Sequence, residues 1–354
     1  MNTNKETCVG IIFGGASGEH DVSIKSANTV SNCFKKGKSL KNFHLTCIYI
    51  DPRGRWWPNE VARKALRKGH RLLESELPKQ HNKKGFYEFP QDVSGIDIWF
   101  PLLHGPNGED GSIQGLLQLI GKPFIGSGVL GSALGMDKIA MKNSFAALGL
   151  PQVTYQAAES NQITDPELLK NLIEQLEEKI GYPCFIKPAN LGSSVGISKA
   201  HFKSEMKSGL ELACKYDNRI IIEKNIIGRE LECGILGKTH IKTSVIGEVM
   251  HNSEWYDYET KYSSEEIKVL IPAPIPETIS REISNLSLKA CKALSINSIA
   301  RVDFFYVPAK NELLINEINT MPGFTNKSMY PMLWEASGLN LEELVAELLK
   351  TATE

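Results

Sequence analysis

The chain reads as an α/β protein of two or three domains, opening with a parallel sheet. Three observations carry that reading. Residues 8–13 (Cys-Val-Gly-Ile-Ile-Phe) are a short apolar run, followed by a Gly-Gly-Ala-Ser-Gly loop and a helical pattern from about Asp21 to Phe34. Strand, glycine loop and helix in that order open a parallel sheet. Residues 184–188 (Cys-Phe-Ile-Lys-Pro) lead into a second small-residue loop at 189–196. Residues 299–306 (Ile-Ala-Arg-Val-Asp-Phe-Phe-Tyr) and 313–319 (Leu-Leu-Ile-Asn-Glu-Ile-Asn) are rich in β-branched and aromatic side chains, as paired strands are.

Taken in order, a second strand falls at 45–50 and a third at 96–100, so the alternation of strand and helix continues. Residues 52–95 interrupt it; they carry many Arg and Lys with weak periodicity and read as a solvated insertion. A helix starts at Asp137 and ends near Gly149-Leu150-Pro151. The next covers 165–180, with Asp165 as N-cap and Gly181 as stop. Further elements are a helix at 204–216, a strand at 220–223, a helix at 277–294 and a C-terminal amphipathic helix. These divide the chain into 1–126, 127–222 and 223–354.

The hairpin carries chemistry. Side chains alternate along a strand, so Arg301 and Asp303 share one face, as do Glu317 and Asn319. A turn over Pro308-Ala309-Lys310-Asn311, centred on residue 310, sets Asp303 opposite Glu317 and Arg301 opposite Asn319. Opposed side chains lie about 5 Å apart at Cβ. Facing carboxylates repel unless a cation sits between them, and Asp, Glu and an Asn amide oxygen form an all-oxygen set suited to Mg²⁺. Lys187 precedes its glycine loop, whereas a Walker A lysine follows one, so this phosphate nest is not a P-loop.

Composition excludes several classes. Charged residues are 23% of the 354, the net charge is −1, and nothing favours nucleic acid or an anionic membrane. No apolar run approaches the roughly 18 residues that span a bilayer, and the polar N-terminus is not a signal peptide. Seven scattered cysteines without a C-x-x-C pair point to a reducing, cytoplasmic setting and to small buried side chains.

Together the motifs become specific. Lys187-Pro188 with Gly-Ser-Ser-Val-Gly, the Glu223-Lys224 linker, and Arg301-x-Asp303 followed by Asn316-Glu317-x-Asn319-x-x-Pro-Gly resemble the ATP-grasp fold. The N-terminal Phe-Gly-Gly-x-Ser-x-Glu-His-Asp-Val-Ser, Leu103-His104-Gly105, Gly108-Glu109-Asp110-Gly111 and the aromatic stretch 255–262 narrow the resemblance to the D-alanine–D-alanine ligase family. It covers residues 8–348, with 52–95 matching least. It implies an ATP-grasp fold: a Rossmann-like N-terminal domain, a small central α+β domain and a C-terminal α+β domain. It implies ATP-dependent joining of two D-alanines through an acyl phosphate, for peptidoglycan precursors, with two Mg²⁺ (Mn²⁺ able to substitute) and a homodimer.

The same resemblance implies residue roles. Lys138 and Lys187 contact ATP phosphates under the loop Ser193-Ser194-Val195. Glu223, Lys224 and Ile226 hold adenine and Glu230 the ribose, with Trp255, Lys261 and Asn316 completing the nucleotide set. Asp303, Glu317 and Asn319 hold the metals. Glu19 binds the first D-alanine's ammonium, with His104 among the substrate-binding groups. Arg301 and the Gly323 N–H face the oxyanion, Ser328 and Met329 hold the second D-alanine's carboxylate, and Lys261 and Tyr262 sit on a covering loop. The base for the second amine stays open among Tyr262, Ser193, Glu19 and His104. Alternatives are a D-alanine–D-lactate ligase, another ATP-grasp ligase, and a non-catalytic nucleotide-binding regulator.

Overall fold

A computed structural model describes residues 6–79, 91–192, 195–250 and 268–354. The first sheet is built on β1 (Thr7–Gly14), whose apolar run is buried on both faces, as a central parallel strand requires. Glycine is needed where β1 ends. Gly14 has φ +94°, and a Cβ there would collide with the Ile50 carbonyl. Helix α1 (His20–Lys36) follows and buries Ile24, Ala27, Val30 and Cys33 at three-residue spacing. β1 pairs in parallel with β2 (Phe43–Ile50) and, on its other side, with a later strand, β4 (Ile98–Leu102).

The segment expected to be a solvated insertion is part of the fold wherever it is described. Trp56–Trp57 form β3, which lies antiparallel to β2 as the sheet's fourth strand, and both indoles are buried. Helix α2 (Asn59–Lys68) buries Val61, Ala62, Ala65 and Leu66, while Lys64, Arg67 and Lys68 stay on its other faces. Asp51 is fully buried and fully used. It accepts from the Arg53 and Arg55 backbone N–H groups (2.8 and 3.1 Å), from Arg55 Nε (2.6 Å) and from Trp57 Nε1 (2.9 Å). The buried face of α2 is half alanine, so hydrophobic periodicity is faint there although the burial is complete. β4 (Ile98–Leu102) and helix α3 (Ser112–Ile120) finish this unit, in sheet order β3-β2-β1-β4.

Helices α4 (Val129–Met136) and α5 (Lys138–Ala147) lead out of it. The central sheet is antiparallel in order β5-β8-β6-β7, made of β5 (Tyr155–Glu159), β6 (Cys184–Pro188), β7 (Ser198–Ala200) and β8 (Arg219–Lys224). Helices α6 (Ser160–Thr164), α7 (Pro166–Lys179) and α8 (Lys203–Ala213) cover it through a core that includes Leu172, Leu176, Ile186, Leu210 and Ile222. Asp165 caps α7 as expected, accepting from the N–H groups of Glu167 and Leu168 (2.9 and 3.0 Å).

The last sheet runs β11-β10-β9-β12-β13. Its strands are β9 (Arg229–Gly237), β10 (Lys242–Met250), β11 (Lys268–Leu270), β12 (Ser298–Val307) and β13 (Glu312–Asn319). Helix α9 (Glu277–Leu294) packs Ile279, Ile283, Leu286 and Ala290 against one face, together with Met141 and Phe145 of α5. Helices α10 (Met329–Ala336) and α11 (Leu341–Thr353) belong to the other side. There Phe324, Tyr330, Trp334, Leu344 and Leu348 join the same apolar cluster as Val9, Ile24 and Phe100, so the first and last sheets share a core. All seven cysteines are free and six are buried. Among the described residues no helix is long and apolar enough to cross a membrane.

Truncating a large buried aromatic typically costs about 3–5 kcal/mol. Trp57→Ala also removes a hydrogen bond to Asp51, so equilibrium urea unfolding should show a loss of that size. A loss under about 1 kcal/mol would return residues 52–79 to the status of a solvated insertion.

Candidate functional site

The site begins with strand register. β12 and β13 pair Arg301 with Asn319 and Asp303 with Glu317, as the turn geometry predicts. Beyond Asp303 the register shifts, because Phe304 pairs with Ile315 and Asn316 becomes the extra residue of a bulge. On the other flank β9 sets Glu232 opposite Asp303. Glu232, Asp303 and Glu317 therefore stand in one row across three adjacent strands. Arg301 lies among them. Its Nε and Nη2 donate to the two Asp303 oxygens (both 2.7 Å), and Nε lies 2.8 Å from Glu232 Oε2. Burial disfavours the guanidinium charge, but Asp303 and Glu232 more than offset this and hold Arg301 protonated. Asn319 Nδ2 donates to Asp303 Oδ2 at 2.9 Å. Sequence reading missed Glu232; its alternation with Glu230 along one strand was the available signal.

A second charged group sits where the central sheet meets the hairpin. The Glu223 carboxylate is buried between Lys187 (2.5 Å) and Lys142 (2.9 Å). Burial alone would raise its pKa; Lys142 and Lys187 overcome that and bring it down to about 2. For Lys187 burial works against the charge, while Glu223 and Glu317 hold the ammonium above its ordinary range. Lys142 is almost wholly buried and its Nζ also reaches the carbonyl of the bulge residue Asn316 at 3.4 Å. It too was missed, although Lys138 and Lys142 lie one helical turn apart. Lys138 Nζ donates to the Leu191 carbonyl at 2.6 Å, on the loop after β6. Val195 N–H donates to Gly192 O at 3.3 Å within that loop. Lys224 is exposed at the end of β8, Ile226 lies in the linker and Glu230 on β9.

The third wall comes from the first domain. Glu19 precedes α1, and a Cβ on Gly105 or Gly192 would lie 2.6 or 3.2 Å from its Oε2. The glycines of two loops thus let this carboxylate reach both the first and central domains. Glu109 is half-buried beside it, accepting from the N–H groups of Gly105 (2.7 Å) and Met321 (3.0 Å). Burial and the neighbouring Glu19 and Glu317 charges raise its carboxyl to about 8, against the lowering effect of those two bonds. Ser328 caps the loop before α10, with its Oγ accepting from Thr325 N–H at 3.0 Å and a Cβ on Gly323 placed 3.0 Å from it. Met329 begins α10 and is buried. Both ring nitrogens of His104 are engaged inside the protein, with Ser26 Oγ and Met321 O at 3.0 Å each. Ser193, Ser194, Trp255, Lys261 and Tyr262 lie outside the described residues.

The donor set suits a hard cation with nucleotide phosphates. A row of three carboxylates faces a lysine-flanked loop, and Arg301 relieves repulsion among them on the hairpin side. Among the described residues no three His, Cys, Asp or Glu side chains are poised about one point. A cation would therefore draw on Asp303 and Glu317 with the Asn319 amide turned to present its oxygen, and with phosphate oxygens completing the shell.

Comparison with known proteins gives the chain's family. The family described as "D-ala D-ala ligase C-terminus" matches residues 144–350, and "D-ala D-ala ligase N-terminus" matches residues 8–127. A D-alanine–D-alanine ligase from Prochlorococcus marinus is 58% identical over 344 residues, covering 97% of this chain and 98% of the relative. One from a Synechococcus strain is 50% identical over 346 residues, covering 98% of each. Among solved structures, the D-alanine–D-alanine ligase of Coxiella burnetii superposes with TM-score 0.79 at 32% identity, covering 98% of this chain and 95% of that one. The VanG D-Ala:D-Ser ligase of Enterococcus faecalis gives TM-score 0.81 at 30% identity, covering 98% and 99%. The chain has the ATP-grasp fold of these neighbours and belongs to the D-alanine–D-alanine ligase family.

Proposed function

We propose that this protein joins two D-alanines in the cytoplasm, with ATP and Mg²⁺ or Mn²⁺, through a D-alanyl phosphate, supplying a peptidoglycan precursor. The observation that carries the reading is 58% identity along nearly the whole chain to a relative of that name. A carboxylate and an amine do not condense in water unaided, so the first D-alanine's carboxylate must be activated by phosphoryl transfer. Glu19 holds that substrate's ammonium. Lys138 and Lys187 hold the phosphates; Lys187 leaves Glu223 to do so, while Lys142 stays as the buried counter-ion. Glu223, Lys224 and Ile226 then face the adenine and Glu230 the ribose, with Trp255, Lys261 and Asn316 beside them. Divalent cations held by Asp303, Glu317 and Asn319 would neutralise charge on the transferring phosphoryl group. Ser328 and Met329 orient the second D-alanine. Arg301 and the Gly323 N–H stabilise the oxyanion formed when its amine attacks. Ser193, Lys261 and Tyr262 belong to the covering loops that exclude water from the acyl phosphate.

The acceptor is D-alanine rather than D-lactate or D-serine in this reading, because the relatives at 50–58% identity carry the D-alanine name while the D-serine enzyme stands at 30%. Phosphate release measured with D-alanine, D-lactate, D-serine and L-alanine, alone and in pairs, tests it. Release with D-alanine alone is expected. Release only when a second acceptor is added would contradict it.

Glu317→Gln removes a charge from a residue that would hold the divalent cations. Turnover should fall by about 10²-fold or more with the melting temperature nearly unchanged; wild-type turnover at saturating Mg²⁺ would remove Glu317 from the metal set.

Glu223 also predicts an acid limb of stability. Its carboxyl is at about 2 in the fold against an ordinary 4.5, so the unfolded chain binds its proton first. The contribution is complete above about 4.5 and is lost as pH falls towards about 2. Glu223→Gln should flatten the unfolding free energy over that window, and an unchanged slope would show that the two lysines do not depress Glu223.

A further inference from the structure

The turn that follows β13 is held by the first domain rather than by its own strand. Met321 is gripped at both ends of its backbone. Its N–H donates to Glu109 Oε1 at 3.0 Å, and its carbonyl lies 3.0 Å from His104 Nδ1. Three residues on, the Phe324 N–H donates to Ser26 Oγ at 3.1 Å, and Ser26 Oγ is 3.0 Å from His104 Nε2. The Phe324 ring stands edge-on to Phe100, with centroids 5.9 Å apart. Ser26, His104, Met321 and Phe324 are all buried.

The proton positions follow from the chemistry of each group. The Met321 carbonyl can only accept, so His104 Nδ1 carries a hydrogen. Nε2 then accepts from the Ser26 hydroxyl, whose oxygen accepts from Phe324 N–H. The relay leaves one backbone group of the turn and returns to another. Gly323 lies between the two pinned residues, and among the described residues nothing accepts from its N–H.

We propose that Ser26, His104 and Glu109 are positioning residues that dock the 320–324 turn on the first domain and thereby aim the Gly323 N–H at the acyl-transfer oxyanion. The cluster's hydrogen bonds run to the Met321 and Phe324 backbone of that turn. Its loss should leave phosphoryl transfer running while peptide transfer falters, so acyl phosphate is lost to water. The claim rests on the role given to Gly323 in the ligase reading.

The test measures inorganic phosphate and D-alanyl-D-alanine in parallel, on the full chain with ATP, Mg²⁺ and D-alanine, for the native protein and for Ser26→Ala, His104→Ala and His104→Asn. Native protein should give one phosphate per dipeptide. In both alanine variants dipeptide formation should fall about tenfold or more, phosphate release should fall less, and the ratio should at least double, with the KM for ATP unchanged. His104→Asn keeps an N–H donor near the Nδ1 position and should recover part of the coupling. A loss of folded protein lowers both rates together and leaves the ratio at one, so a ratio of one in all three variants overturns the proposal. A native chain that makes no dipeptide sinks the ligase reading instead. Docking is then judged by hydrogen exchange, which should speed selectively at 320–326 in Ser26→Ala, and equal exchange there overturns it.

Discussion

Three carboxylates from adjacent strands share one sheet face with a half-buried guanidinium lying among them. Arg301 binds both oxygens of Asp303 and contacts Glu232, with Glu317 next in the row. A one-residue slip in β12 or β13 would turn these groups to the opposite face. The ladder is therefore the constraint on which the site depends, and the bulge at Asn316 is where it is adjusted. The bulge carbonyl meets Lys142, the same side chain that neutralises Glu223 in the central sheet. One buried ammonium thus ties β13 of the hairpin to β8 of the central sheet. A lone buried charge is expensive, whereas a lysine–carboxylate–lysine set is tolerated, so removal of any member leaves the others uncompensated.

The acidic cleft also explains why the first and last domains share a core. Glu19 and Glu109 enter from one side and the hairpin carboxylates from the other, close enough that Glu317 contributes to holding Glu109 protonated. Apposition of like charges needs an independent source of cohesion. Phe324, Tyr330 and Trp334 supply it by packing into the cluster built on β1 and α1. Hydrophobic burial between the first and last sheets therefore offsets electrostatic repulsion in the cleft.

Much of this was legible in the chain. The Asp303–Glu317 pairing follows from alternation and a short turn, both local. The limits of α7 and α9 follow from a cap, a stop and a 3.6-residue period. The bulge was not legible, because Asn316 is displaced by pairing with a partner strand. Residues 52–79 were misread because alanines make up half of the buried face of α2, and because the charges of Asp51 and Arg55 are satisfied mainly by each other and by Glu74. Ser26, Lys142 and Glu232 escaped notice for a common reason: each has an ordinary local setting and acquires its partner from a distant part of the chain. Family motifs supplied the residues expected to face ligands, and the folded geometry was needed to find the side chains packed behind them.

The central claim is that the carboxylate row is completed by divalent cations bound together with a nucleotide. Calorimetric titration of the protein with ADP, with and without Mg²⁺, tests it most directly. The account predicts that removing Mg²⁺ weakens ADP by at least about tenfold, or 1.4 kcal/mol, and that Asp303→Asn abolishes most of that difference. Equal ADP affinity in the two conditions would contradict it.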